Sequence, residues 1–190
     1  LFDFAIGGLI GLIYLSGGAQ AFVKSITDKV KSARGGQFTA WLFGLIIFFD
    51  DYANTAIVGN AFMPVTDKLG ISREKFSYIV DSTAAPVASI AIISTWVGYE
   101  VGLIGDAIEG TSVSLTPYNI FLQSIPYRSY SIFAIILVLA IALSQRDYGP
   151  MLKAEHRTRT SGKVFADGAI PLSGGSKLKV LEDVPQKTMN

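Results

Sequence analysis

The sequence has no cysteine, a single histidine and few charged side chains. Only 16% of its 190 residues are charged, whereas soluble domains average about 25%. Without cysteine there can be no disulfide, thiolate metal ligand or cysteine nucleophile. His156, the one histidine, lies in the polar tail, which excludes a zinc site or a Ser–His pair in the apolar part. A net charge of +1 argues against nucleic acid as a partner.

The charges are also unevenly distributed. The first 144 residues carry 18 of them, and the last 46 residues carry 13. We therefore predict a membrane domain over 1–144 and a cytoplasmic, largely disordered linker over 146–190. The chain begins inside an apolar run without the basic start of a signal peptide. We accordingly expect an internal fragment of a longer polypeptide.

The uncharged runs predict the membrane elements. A spanning helix needs about 20 mostly apolar residues, and the runs on either side of Asp50 and Asp51 are each shorter than that. The predicted elements are a span over 4–23, a re-entrant hairpin over 38–64, a broken span over 76–99, an interfacial segment over 111–127 and a span over 129–145.

Basic residues favour the hairpin over a full crossing. Loops 24–37 and 66–75 and the tail are basic, whereas 100–110 contains three acids and no Lys or Arg. A re-entrant hairpin puts all three basic segments in the cytoplasm, as the positive-inside rule requires. The predicted fold class is an all-α polytopic membrane protein, with transmembrane helices, a re-entrant helical hairpin and a broken helix. The lipid bilayer is therefore an expected partner of the protein.

Three carboxylates, Asp50, Asp51 and Asp81, lie at the predicted breaks. A charge at membrane depth costs roughly 2.5–3.5 kcal/mol even on lenient scales, so a cation, a proton or a buried partner must offset it. Two adjacent anions also disfavour double ionisation. In the simpler alternatives, Asp50 and Asp51 form a cytoplasmic loop, and Asp81 is a helix N-cap.

Neutral oxygen ligands accompany these acids. Helical spacing pairs Asp50 with Asn54 and Asp51 with Thr55, and hard cations prefer such oxygen ligands. The full candidate ion- and proton-binding set is Asp50, Asp51, Asn54, Thr55, Asp81, Ser82 and Thr83. The three acids are the predicted Na+ ligands. We expect no organic cofactor, and no arginine or histidine lies near the predicted breaks.

Several segments resemble the NhaC-type Na+/H+ antiporter family of the ion-transporter superfamily: SARGGQ, FFDDYANT, VGN, the run TDKLGISREKFSYIVDSTAAPVASIAIISTWVGYE, and RDYGPMLKAE. The likeness extends from Gly7 to about Arg159. It implies one half, the first structural repeat, of an inverted-repeat transporter, in which each repeat has a re-entrant hairpin followed by a broken helix. By this resemblance Asp50 to Thr55 form the hairpin tip, and Asp81 to Thr83 form the break.

The resemblance implies a secondary active antiporter rather than an enzyme. It would exchange Na+ (or Li+) for H+ across a bacterial cytoplasmic (inner) membrane by alternating access. Its partners would be Na+, H+, the missing second half of the polypeptide and a second copy in a homodimer. One alternative is a Na+/H+-coupled exchanger of dicarboxylates, lactate or amino acids.

Two other classes fit less well. An intramembrane aspartyl protease would need Asp106 of GLIGD to face Asp50 or Asp51, and the glycine spacing does not match that signature. A purely structural subunit would leave three intramembrane acids without a role.

Overall fold

The computed structural model describes residues 30–169 and the isolated residues 8, 12 and 16. The predicted span 4–23 therefore lies outside the described residues except for those three positions, as does the end of the linker from residue 170. The described part is helical and contains no strand. Its elements are α1 (Ala33–Ile46), α2 (Asp51–Lys68), α3 (Arg73–Ile90), α4 (Thr95–Ile108), α5 (Pro117–Ser124), a 3-10 turn (Ile125–Tyr127), α6 (Ser129–Ser144) and α7 (Gly149–Ser161).

Polar side chains set where the first helices begin. Ser32, Asp50, Ser72 and Ser94 cap α1 to α4, each accepting a hydrogen bond from a backbone N–H in the first turn. Such caps satisfy donors that the helix itself leaves unpaired. The sequence thus marks a new helix start after each interruption of the apolar pattern.

Helix α3 lies at the centre and packs against α1, α2 and α6. The shared core is built from buried apolar side chains: Ala40, Val58, Phe62, Ile71, Phe76, Ile79 and Val138. The closest approach is between α1 and α3, where a Cβ on Gly44 would lie 2.2 Å from Thr83 Oγ1. Glycine at this position leaves the space that the Thr83 side chain occupies.

The second helix break lies later in the chain than the sequence predicts. Asp81, Ser82, Thr83 and Pro86 lie inside the continuous helix α3. The interruption comes at 91–94, and α3 and α4 meet there at 44°. Pro86 removes the N–H that would bond the Ser82 carbonyl, but it does not end the helix. Because Ser72 is the N-cap of α3, the alternative role of Asp81 as an N-cap is wrong.

One stretch among the described residues, Ser129–Ser161, which combines α6 and α7, is long and apolar enough to cross a membrane. The bent pair of α3 and α4 passes the same test when taken together. In the region predicted as a hairpin, α1 and α2 are separated by residues 47–50. Segment 111–127 contains the short α5 and the 3-10 turn, with Pro117 in the first turn of α5.

The start of the predicted linker is ordered. Its residues 149–161 form α7, which packs against α3. Lys75, wholly buried, has Nζ 2.8 Å from Asp147 Oδ1 and 3.9 Å from Glu155 Oε2. Composition does not reveal this, because two of the charges that make the segment look solvated, Asp147 and Glu155, are buried against Lys75 of α3.

Segment 100–110, with its three acids, is also largely helical. Glu100 lies within α4, where it forms an ion pair with Arg128. Arg128 also donates to the Ser89 carbonyl at 3.0 Å, in the last turn of α3. Arg128 therefore lies next to the 91–94 break, which the sequence did not predict, and Glu100 neutralises its charge.

Candidate functional site

The two helix breaks lie side by side. The backbone N–H of Thr95, at the start of α4, donates to the Phe49 carbonyl at 2.9 Å. Its hydroxyl donates to Asp50 Oδ2 at 2.9 Å. Next to it, Trp96 Nε1 donates to Asp51 Oδ1 at 3.0 Å. Three hydrogen bonds thus join the 47–50 break to the start of the helix that follows the 91–94 break.

Asp50 is the buried carboxylate at this junction, with only 3% of its surface exposed. Oδ1 accepts from the Ala53 N–H at 2.7 Å, which makes Asp50 the N-cap of α2. The positive end of the helix dipole favours a negative charge at this position. Among the described residues, hydrogen bonds rather than an ion pair therefore hold the Asp50 carboxylate in place.

Asn54 lies one turn further along α2 and is fully buried. Its Nδ2 group lies 2.7, 2.9 and 3.2 Å from the carbonyls of Gly44, Ile47 and Thr83. This orients the amide, because the reverse orientation would place its oxygen against three carbonyl oxygens. Oδ1 is buried without a hydrogen-bond partner in the described part of the chain. A buried acceptor without a partner lowers the stability of the fold. The same oxygen is suited to bind a cation.

Thr83, on α3, contacts Asn54 at the junction. Its hydroxyl donates within α3 to the Ile79 carbonyl at 2.7 Å, so its backbone carbonyl, rather than its side chain, reaches Asn54. Ser82 is buried beside it on the same helix. Both therefore lie close to the predicted site, but as part of a helix and not of a break.

Thr55 and Asp81 lie elsewhere. They line a cavity of about 620 Å³ between α2 and α3, together with Asn60 and Ser77. Phe165, from the segment after α7, also lines this cavity. Asp81 is exposed. The candidate set thus divides into a buried junction around Asp50 and Asn54 and an open cavity that contains Asp81.

The three predicted Na+ ligands do not converge in this structure. Within residues 30–169, no group of three acids or histidines is arranged to hold a metal ion. Asp50 is buried at the junction, Asp51 points to Trp96, and Asp81 faces the cavity. A cation at the junction would therefore depend on Asp50 and neutral oxygens.

Comparison with known families gives this arrangement a context. The Na+/H+ antiporter family matches residues 87–182, half of the chain, including the 91–94 break and Thr95. The chain belongs to the Na+/H+ antiporter family. It is therefore a membrane protein of a transporter family.

A relative of this chain occurs in Haemophilus influenzae. It is an uncharacterized protein, 35% identical over 156 residues, which make up 82% of this chain and 30% of the relative. The chain thus spans about a third of the length of that relative. No solved structure matches the chain.

Two features of the chain were not predicted from the sequence. Thr95 stands in the quoted STWVGYE run, but nothing in its neighbours marks it as a partner of Asp50. Lys75, in REKF, counts as part of the basic loop 66–75, and nothing around Asp147, in RDYG, marks it as a partner of Lys75. A lysine next to a long apolar run could have been flagged as needing a buried partner.

Proposed function

We propose that the full-length protein exchanges Na+ or Li+ for H+ across the bacterial inner membrane, with Asp50 as the carboxylate that binds them in turn. The observation that carries this proposal is the buried junction of two helix breaks. Asp50 is buried there as the N-cap of α2, and Asn54 Oδ1, one turn further along α2, has no hydrogen-bond partner among the described residues. We further propose that α1 and α2 form a re-entrant hairpin, and that this chain is one half of a polytopic, NhaC-type inverted-repeat transporter.

Burial distinguishes Asp50 from its neighbour Asp51. Adjacent helical residues point about 100° apart, and here one carboxylate faces the junction while the other reaches the half-exposed ring of Trp96. A carboxylate buried without a cationic partner is the group whose charge a cation or a proton most effectively neutralises. The proposal therefore assigns exchange to Asp50 and a surface role to Asp51.

The charge at the junction favours a cation over an organic anion. The guanidinium nearest to a break, Arg128, is already paired with Glu100. Unless the second half supplies a free cation, a carboxylate substrate would find none here. The protease alternative also fails on geometry, because Asp106 lies about 15 Å further along α4 than Trp96, the residue that contacts Asp51.

The test uses the full-length protein in inside-out vesicles with an acidic interior, reported by a pH-sensitive dye. Addition of Na+ or Li+ should dissipate the acidic interior, whereas K+, malate or arginine should not. Asp50→Asn should abolish the Na+ response because the variant carboxamide cannot carry the proton. Asp51→Asn should retain most of it, since an amide oxygen can still accept from Trp96.

The matched control is Asp167→Asn, which removes an exposed carboxylate whose ion-pair partner among the described residues is Lys163. It should leave the dye response unchanged. A response to malate or arginine alone would place the protein among solute exchangers. Transport that survives Asp50→Asn but is lost in Asp51→Asn would overturn the assignment of the two acids.

A further inference from the structure

We infer that Thr95 is a member of the ion site: its hydroxyl orients Asp50 and provides an additional oxygen ligand to the cation that Asp50 binds. This inference rests on the proposed function. It adds to the site a residue from α4, beyond the second break, and so assigns the site to both breaks.

Thr95 contacts the first break at two points. Its backbone N–H bonds the Phe49 carbonyl and its hydroxyl bonds Asp50 Oδ2, each at 2.9 Å. The other carboxylate oxygen, Oδ1, is held by Ala53 in α2. The orientation of the Asp50 carboxylate is thus fixed from both sides, by its own helix and by α4.

The hydroxyl has ligand capacity that its present hydrogen bond does not use. A threonine oxygen that donates its one proton keeps two lone pairs for acceptance. Thr95 is exposed in the described part of the chain, so these lone pairs are not enclosed by the protein. A cation that shares Asp50 Oδ2 would therefore meet the Thr95 oxygen as a neighbouring hard ligand.

A purely structural role for Thr95 can be separated from this one. Ser94, the preceding residue, caps α4 by accepting from the Val97 N–H at 3.2 Å and donates to the Ala88 carbonyl at 2.8 Å. Ser94→Ala should weaken the same helix start without touching Asp50. Thr95→Val keeps the shape and the backbone N–H but removes the hydroxyl, and Thr95→Ser restores it.

The experiment measures the purified full-length protein in two ways. The first is the Na+ concentration that raises its melting temperature, with choline as the ionic-strength control. The second is the KM and maximal rate of Na+-driven dye recovery in vesicles. Thr95→Val should raise both the Na+ requirement and the KM by about tenfold or more, as expected for loss of a hydrogen bond to a charged group.

Thr95→Ser should return these values to near wild type, and Ser94→Ala should change the melting temperature in the absence of Na+ but not the Na+ dependence. If Thr95→Val does not fold, Thr95→Ala provides the same comparison without the branched side chain. A wild-type response to Na+ with an unchanged Thr95 variant overturns the inference alone. A wild-type protein that neither binds nor transports Na+ overturns the proposed function as well.

Discussion

At the scale of single residues, Asn54 joins three helices. Its amide group reaches the Gly44 and Ile47 carbonyls at the end of α1 and the Thr83 carbonyl in α3. The last carbonyls of a helix lack intrahelical donors, and at membrane depth no water replaces them. One buried side chain in α2 therefore compensates for the interruption of α1.

Asn54→Ala should destabilise the protein strongly, because it leaves these carbonyls without their donor at about 1–3 kcal/mol for each group that stays unsatisfied. The measurement is the melting temperature of the detergent-purified full-length protein. Asn60→Ala is the matched control, since the Asn60 amide donates only within its own helix, to the Ala56 carbonyl at 2.7 Å. Equal losses in the two variants would contradict the bridging role.

At the scale of helices, some boundaries follow from the sequence and others do not. The interruption at Asp50 can be predicted because charge, a capping side chain and the ends of two apolar runs coincide there. The break at 91–94 could not be predicted in this way, because residues 91–94 (AIIS) carry no charge and include two β-branched isoleucines. The prediction placed the break at Asp81 and Pro86 instead, but both residues lie inside the continuous helix α3. The Ser94 cap marks where α4 begins, and the contacts of Thr95 with Phe49 and Asp50 hold this helix start against the first break.

Gly44→Ala should separate α1 from α3, because the added Cβ would lie 2.2 Å from Thr83 Oγ1. Forced overpacking of this kind costs about 1–3 kcal/mol, and the Asn54 contacts to both helices should weaken with it. Thermal unfolding and Na+ transport should therefore both decline. Gly59→Ala is the control on the neighbouring helix, where an added Cβ meets nothing within 4 Å; if it were as harmful as Gly44→Ala, the close approach would not be the cause.

At the scale of the whole molecule, a buried ion cluster ties the segment after α6 to the start of α3. Lys75 lies against Asp147 and Glu155, and Glu155 Oε1 accepts from the Ser72 N–H at 2.8 Å. The Arg73 N–H extends the connection to the Val164 carbonyl at 2.8 Å. These contacts place the residues after α7 beside the cavity that contains Asp81.

Lys75→Met should be among the most destabilising single changes in this region. It leaves Asp147 buried without its cation and leaves Glu155 with Arg159, 3.8 Å away. Breaking a buried pair in this way costs about 3–5 kcal/mol. Melting temperature and limited proteolysis near residue 150 should both report the loss. Lys163→Met, which breaks the solvent-exposed pair with Asp167, should leave both readouts unchanged. A similar stability of the two variants would show that the buried cluster does not hold α7.

The distance along the chain between Lys75 and its partners has a consequence for biosynthesis. Asp147 follows Lys75 by 72 residues, so a ribosome that adds roughly 5–20 residues per second needs about 4–14 seconds to reach it. During that interval the ammonium group of Lys75 has water as its alternative partner. If α3 enters the bilayer as proposed, this end of the helix should stay at the membrane surface until Asp147 and Glu155 have been synthesised and can pair with Lys75.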